Sequence, residues 1–181
     1  MPKTTAERVR IGRSSLRLIR GDITELDVDA FVYYARHDLT LGSGFGTAIS
    51  QRGGPAIQKE LSQLGPLETG QAVATGAGKL KAGCIIHAVG PRFNEADTAG
   101  KLRRTVLAAL TVAEEKGVKR IALPPMGAGF YAVPLDLCAR VMVETFQEYL
   151  QGRTGIEEVV LCVMDQREFA PFAARLALQE A

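Results

Sequence analysis

The sequence predicts an α/β protein: a three-layer α/β/α sandwich with a mixed, largely parallel sheet of about six strands. Strand-like segments alternate along the chain with longer helix-like segments, a pattern that places helices on both faces of a sheet. The strand-like segment at residues 84–89 (CIIHAV) is apolar at most positions, as strands covered on both faces are. The chain has 181 residues, of which 46% are apolar and 23% charged, so we expect a single domain over residues 1–181.

The predicted strands are short runs enriched in apolar, β-branched or aromatic residues. They are residues 16–20, 29–34, 71–75, 84–89, 120–123 and 158–164. Residues 9–11 are either a further strand, paired with the first in a hairpin across residues 12–15, or part of an N-terminal extension over residues 1–15.

The predicted helices are residues 47–64, 101–116, 134–150 and 168–178. Gly53, Gly54 and Pro55 break the first of them into two pieces. Gly117 follows the second, in the position where glycine ends many helices. Pro134 lies near the start of the third helix and Asp136 in its first turn, which is typical of a helix N-terminus.

Composition argues against several classes of partner and site. The chain lacks Trp and its net charge is +2, so nucleic acid is not an expected partner, although nucleic-acid ends are not excluded. No apolar run approaches the roughly 20 residues that span a bilayer, and the start lacks a signal peptide, so we expect no membrane partner and a cytoplasmic location. Cys84, Cys138 and Cys162 form no C-x-x-C pair, which predicts reduced thiols, no metal site and no cofactor.

Cys84 and His87 are close in sequence, yet they are not a nucleophile and its base. Their offset of three residues puts them on opposite faces of one strand. We expect Cys84 to be a core cysteine and His87 a core histidine whose hydrogen bonds are satisfied.

Two glycine-rich loops follow predicted strands and run towards helices. The first is LGSGFGT at residues 41–47 and the second is PPMGAGFY at residues 124–131. Glycine lets backbone N–H groups approach a ligand closely, and a helix N-terminus adds partial positive charge, so both features favour phosphate. One such loop is usually only a tight turn. Two at the carboxyl edge of one sheet predict two walls around a diphosphate.

These loops do not match two common nucleotide-binding motifs. The spacing in GSGFG is G-x-G-x-G, whereas a dinucleotide fingerprint has G-x-G-x-x-G and an acidic residue about 20 positions later, at the end of the next strand. That region here reads as helix. The chain also lacks the P-loop sequence.

Taken in order, the motifs resemble those of macrodomains. They are GDIT (residues 21–24), DAFV (29–32), GSGFGTAI (42–49), IHAVGP (86–91) and GAGFY (127–131). The resemblance covers about residues 16–178. It implies a mixed-sheet α/β/α module that binds ADP-ribose or an ADP-ribosylated protein. Some members remove ADP-ribose from proteins or deacetylate O-acetyl-ADP-ribose.

The resemblance also implies roles for particular residues. Asp22 would accept a hydrogen bond from the adenine amine, a task that suits an acceptor-only carboxylate, and the Ile23 backbone would help to place the base. The two glycine loops would wrap the diphosphate, while Phe130 and Tyr131 would flank the distal ribose. The implied site residues are Asp22, Ile23, Arg36, Gly42, Ser43, Gly44, Phe45, Gly46, Gly127, Ala128, Gly129, Phe130, Tyr131, Met164 and Asp165. The structural alternative for Asp22 is a cap with Thr24, and for the two aromatics it is edge packing.

One departure from the family pattern bears on catalysis. The family commonly carries Asn-Ala-Ala-Asn after the second strand, whereas this chain has Tyr33, Tyr34, Ala35 and Arg36. In hydrolytic members the second Asn holds the distal ribose, and a donor-only guanidinium does not reproduce it. Many of these members also carry an Asp after the glycine run, where this chain has Phe45-Gly46, and the Cys and His ligands of zinc-dependent members are missing.

Three hypotheses therefore remain at the level of sequence. The first is an ADP-ribose binder with weak, altered or absent hydrolysis. The second is an ADP-ribosyl or O-acyl-ADP-ribose hydrolase with a non-standard site that uses Arg36, Tyr33 or Asp38. The third is a binder of another adenine or phosphate ligand, including nucleic-acid ends.

Overall fold

The computed structural model of the chain describes residues 7–42, 44–129 and 131–179. The strands are β1 (Glu7–Ile11), β2 (Ser14–Arg20), β3 (Ala30–Ala35), β4 (Gln71–Gly76), β5 (Cys84–Val89), β6 (Arg120–Leu123) and β7 (Glu158–Val163). The helices are α1 (Phe45–Gly53), α2 (Ala56–Leu61), α3 (Thr98–Glu115), α4 (Leu135–Gln151) and α5 (Gln166–Gln179), with a short 3-10 helix at Ile23–Glu25.

The described residues form a sheet of seven strands in the order β1-β2-β7-β6-β3-β5-β4. The five strands from β2 to β5 pair in parallel, and the edge strands β1 and β4 pair antiparallel with their neighbours. The predicted mixed, largely parallel sheet is therefore confirmed. The predicted count of about six rises to seven because residues 7–11 form the hairpin strand that the sequence left open.

Alternation along the strands divides the core between the two faces of the sheet. In β3, Val32 and Tyr34 pack into one apolar cluster with α3, α4 and α5. Phe31 and Tyr33 pack into a second cluster with α1 and α2. Because successive side chains of a strand point to opposite faces, a nearly all-apolar strand indicates helices on both sides, and this prediction is confirmed.

Local sequence signals set the helix ends. Gly54 and Pro55 separate α1 from α2, as predicted. Gly117 has φ +70°, and the N–H of Val118 donates to the carbonyl of Ala113 over 3.0 Å, which closes α3 in a Schellman arrangement. Several predicted helix bounds differ from the observed ones: α3 begins at Thr98 rather than residue 101, and α5 begins at Gln166 rather than residue 168. No helix among the described residues is long and apolar enough to cross a bilayer.

His87 and Cys84 lie on opposite faces of β5, as expected. Cys84 packs against the α3 side of the core, whereas the His87 ring meets Tyr33 edge-on at 6.0 Å on the other side. The Thr75 hydroxyl donates to the carbonyl of Gly76 and lies 2.9 Å from Nε2 of His87, so it accepts from Nε2–H. His87 Nδ1 is buried and has no partner among the described residues, so the expectation of a fully satisfied core histidine was wrong at that atom.

This burial makes the stability of the fold depend on pH. Burial lowers the pKa of His87 from 6.5 to about 4. Between these values the unfolded chain binds a proton that the folded chain does not, so the free energy of unfolding falls as the pH drops through this window. Over the full window the loss is about 3 kcal/mol.

We therefore expect His87→Gln to flatten the decline of stability between pH 6.5 and pH 4, measured by urea unfolding at each pH. His37→Gln is the matched control, because His37 is exposed and is the only other histidine in the chain. An unchanged decline in His87→Gln would show that another group causes the acid sensitivity.

Candidate functional site

The parallel register brings the carboxyl ends of five strands to one edge of the sheet. The loops that follow β2, β7, β6, β3 and β5 begin at Gly21, Met164, Pro124, Arg36 and Gly90. Loops at this edge of a parallel sheet form the usual ligand crevice of α/β folds. The loops after β6 and β3 are neighbours, because these two strands pair directly.

Asp22 begins the 3-10 helix and is held by two partners. Its Oδ1 accepts from the N–H of Thr24 over 3.0 Å and from the Thr24 hydroxyl over 2.6 Å, while its Oδ2 accepts from Nη1 of Arg52. Slight burial opposes ionisation, but the hydrogen bonds from Thr24 and Arg52 outweigh it and lower the pKa of Asp22. The structural alternative, a cap with Thr24, is therefore present. Ile23 beside it is buried.

Arg52 is a partner of Asp22 that sequence reasoning missed. It lies in the last turn of α1, thirty residues after Asp22, and a contact across that separation leaves no mark in local sequence. Its Nη1 also lies 3.8 Å from Oε1 of Glu25. The basic end of α1 thus neutralises part of the acidic charge after β2.

Met164 and Asp165 follow β7, which neighbours β2. Met164 is 80% exposed at this edge. Asp165 caps α5, since its Oδ1 accepts from the N–H of Glu168 over 3.0 Å and its carbonyl accepts from the N–H of Phe169 over 2.9 Å. Asp165 is therefore occupied in fixing the start of a helix.

Arg36 and the first glycine loop lie together after β3. The Arg36 side chain is exposed, with Nε 3.9 Å from Oδ1 of Asp38. It also lies across Gly42, where a Cβ would come within 2.9 Å of Nη1. The Asp38 carboxylate forms hydrogen bonds within its own loop, since its Oδ1 accepts from the N–H and the hydroxyl of Thr40. These bonds lower the pKa of Asp38.

The first glycine loop ends at the N-terminus of α1. Gly44 has φ +64°, and its carbonyl accepts the first bond of the helix, from Ala48 over 3.1 Å. The N–H groups of residues 45–47 therefore lie before the first backbone hydrogen bond of α1 and have no acceptor within the helix. Phe45 anchors this end on the sheet, with its ring 5.2 Å from that of Tyr33. Gly46 lets the helix approach, since a Cβ there would be 2.6 Å from the Tyr33 hydroxyl.

The second glycine loop follows β6. Gly127 and Gly129 have φ +83° and +92°, respectively. Gly127 is buried, whereas Ala128 is half-buried and Gly129 exposed. Apart from the adjacent residues of the chain, no described atom lies within 4 Å of a Cβ built on Gly129 or on Gly44, so both backbones face open space. The predicted site residues Ser43 and Phe130 lie outside the described residues.

Tyr131 contacts an aromatic ring and a charged side chain. Its ring meets that of Tyr34 edge-on at 4.9 Å, and the guanidinium of Arg92 lies 5.8 Å from its centre. Tyr34 in turn donates from its hydroxyl to the carbonyl of Pro91. Sequence reasoning missed Arg92 as well, because its contact joins the loops after β5 and β6.

Burial raises the pKa of the Tyr33 phenol, which stays protonated at neutral pH, and the charge of Arg36 offsets part of this rise. Within the described ranges, no group of three or more His, Cys, Asp or Glu side chains is placed to hold a metal ion.

Comparison with known proteins identifies the family of the chain. The family model described as "Macro domain" matches residues 34–142. The chain belongs to the macrodomain family. A macro domain-containing protein of Streptomyces coelicolor is 38% identical over 170 residues, which cover 90% of this chain and 99% of that one. Another, from Caldanaerobacter subterraneus, is 36% identical and is covered to 95%, against 89% of this chain.

Solved macrodomain structures share the fold. The Oceanobacillus iheyensis macrodomain with ADP superimposes with a TM-score of 0.92 at 24% identity, covering 97% of this chain and 96% of that one. A Trypanosoma brucei macrodomain in complex with ADP-ribose gives a TM-score of 0.83 at 24% identity, covering 88% of this chain and 68% of the other. At this identity, the likeness establishes the fold.

Proposed function

We propose that this macrodomain binds ADP-ribose or a close derivative in the crevice at the carboxyl edge of its sheet. One observation carries the proposal: Gly44 and Gly129 lie in loops after neighbouring strands, both have positive φ, and both face open space. Backbone of this kind lets a diphosphate approach N–H groups without a countercharge.

The adenine end of the ligand would lie beside Asp22 and Ile23. The Asp22 carboxylate is ionised, and Thr24 and Arg52 already fix its orientation. An ionised carboxylate has about four acceptor positions, so it retains room to accept from the adenine amine. Met164 is exposed after the adjacent strand, where its side chain can pack on the base.

The distal end would lie between Arg36 and Tyr131. Arg36 crosses Gly42 in one loop and Tyr131 follows the other, so the diphosphate would pass between them. The macrodomains of O. iheyensis and T. brucei have been solved with ADP and with ADP-ribose, which supports this class of ligand for the shared fold.

We propose that hydrolysis is weak, altered or absent. Arg36 replaces the amide that positions the distal ribose in hydrolytic members, and Phe45-Gly46 stand where many of them carry an Asp. Asp38 is exposed and committed to Thr40, and Tyr33 is a protonated phenol packed under α1. We therefore assign neither side chain the role of a general base.

Calorimetric titration tests the proposed ligand. We expect ADP-ribose to bind more tightly than AMP, because only ADP-ribose places a full diphosphate and a second ribose across both glycine loops. Equal affinities for the two ligands would contradict the assignment of the loops to a diphosphate.

Gly44→Val and Gly129→Val test the observation that carries the proposal. We expect each to lower the affinity for ADP-ribose at least about tenfold, since the new side chain fills the approach to the backbone and disfavours its positive φ. Gly117→Val is the matched control, because Gly117 has φ +70° and open space but lies at the opposite end of β6. All three should lose similar thermal stability, and only Gly117→Val should keep wild-type affinity. Equal affinities in all three would remove the loops from the site.

Arg36→Ala tests the distal end. If the guanidinium contacts the diphosphate, we expect an affinity loss of about tenfold, near 1.5 kcal/mol for one charged hydrogen bond, and a weaker dependence on salt. Arg153→Ala removes the same charge from an exposed position in the loop before β7, at the opposite end of the sheet, and should bind as wild type does.

Turnover of O-acetyl-ADP-ribose by the same proteins separates binder from hydrolase. Wild-type activity that disappears in Arg36→Ala would contradict a binder and indicate a hydrolase with an arginine in its site. Arg36→Asn restores the usual family residue, and slight activity gained there would support loss of catalysis through this position.

A further inference from the structure

The outer part of the sheet carries arginines on the face opposite to α4 and α5. In β1 and β2 the residues Val9, Ile11, Leu16 and Leu18 point into the core beneath α4 and α5. Alternation sends Arg8, Arg10 and Arg17 to the other face. On that side the cluster packed by α1 and α2 is built mainly from β3, β5, β6 and β7, with Ile19 of β2 at its margin, while Arg8 and Arg10 of β1 are exposed. Arg120 of β6 joins them there, and we name these four residues the arginine face.

A single carboxylate holds three of these arginines. Oε2 of Glu158 lies 3.1 Å from Nη2 of Arg8, and Oε1 lies 3.3 Å from Nη2 of Arg17 and 3.2 Å from Nη2 of Arg120. The Ser15 hydroxyl also donates to Oε2 over 3.5 Å. Glu158 is nearly buried, with a side chain 13% exposed, while the side chains of Arg8 and Arg120 are 59% and 46% exposed.

This arrangement leaves a large excess of hydrogen-bond donors. A carboxylate has about four acceptor positions, and Arg8, Ser15, Arg17 and Arg120 together supply four donors to Glu158. Each guanidinium carries about five N–H donors, so most of those on the face have no protein acceptor in Glu158. Arg10 adds a fourth positive charge and forms no ion pair with a described side chain.

The strand register brings the positive charges close together. Arg8 stands directly opposite Arg17 in the antiparallel register, and like charges in that position destabilise a sheet. Glu158 beneath them holds the side chains in place. A ligand would therefore meet preordered guanidinium groups, which lowers the entropic cost of binding.

We propose that the arginine face binds the phosphodiester backbone of nucleic acid, without regard to base sequence. The planar guanidinium donates two parallel hydrogen bonds to a phosphate, and Arg8 and Arg10 repeat along one strand at about 6.8 Å. No Phe, Tyr or Trp stands at the described positions of β1, β2, β6 or β7, so the face offers phosphate contacts rather than base stacking.

The arginine face is separate from the proposed ADP-ribose site. Arg120 and Glu158 are the first residues of β6 and β7, whereas Gly129 and Met164 follow the opposite ends of these strands. Nucleic acid on the face and a nucleotide in the crevice would therefore bind at the same time. This separation lets an experiment distinguish the two sites.

Fluorescence anisotropy with labelled single-stranded RNA and duplex DNA of about 20 nucleotides or base pairs tests the proposal, at salt concentrations from about 50 to about 200 mM. We expect both probes to bind at low salt. Arg8→Gln/Arg10→Gln should weaken binding at least about tenfold and reduce the slope of log K against log salt by about two. Saturating ADP-ribose should displace neither probe.

The control is Arg103→Gln/Arg140→Gln, which removes the same charge from exposed pairs on α3 and α4. It should keep the wild-type affinity to within about twofold. If the β1 double variant does not fold, Arg10→Gln alone gives the same test with a slope change of about one. The proposal is overturned by no binding at low salt, an equal loss in the control, displacement by ADP-ribose, or equally tight binding of a labelled acidic peptide.

Discussion

Parallel pairing of five strands, in the order β2-β7-β6-β3-β5, is the constraint on which the rest of the molecule depends. It gathers five loops at one edge, and it requires helices on both faces because the strands β3, β5 and β7 are apolar on both sides along most of their length. The crevice is therefore built from segments far apart in the chain. The loops that carry Asp22 and Met164 become neighbours because β2 pairs with β7 from Ser15 to Arg20.

Two adjacent tyrosines of β3 connect the sheet to the loops at its carboxyl edge. Tyr33 and Tyr34 point to opposite faces, so each supports a different wall of the crevice. Tyr33 packs against Phe45 and Gly46 at the start of α1, while Tyr34 packs against Tyr131 and bonds to the loop after β5. Tyr33 stands where the family commonly has an amide, and here that position serves packing.

Net charge conceals how charge is distributed over the surface. The chain carries only +2, and from this value nucleic acid was not an expected partner. Three arginines nevertheless meet around Glu158, and Arg10 lies on the same face, because β1, β2, β7 and β6 are neighbours in the sheet and these side chains alternate to one side of it. Acidic groups elsewhere balance the total. The argument from net charge holds only where charges of both signs are mixed.

The sequence by itself determined the class of the fold, the positions of the strands and of most helices, and the two glycine loops. These features depend on local rules: the period of apolar residues, the breaks at Gly54 and Pro55, and the stop at Gly117. The order of the motifs also indicated the family, which comparison confirmed. The roles of individual site residues remain predictions, and Ser43 and Phe130 lie outside the described residues.

Only the tertiary structure decided which residues meet. The bond from Arg52 to Asp22, the contact of Arg92 with Tyr131 and the cluster around Glu158 join segments that no local pattern links. The unpaired Nδ1 of His87 and the capping role of Asp165 also depend on neighbours that the fold supplies. A sequence states which side of a strand a residue occupies, because that follows from a period of two. Strand order decides what stands beside it, since it arises from the packing of the whole chain.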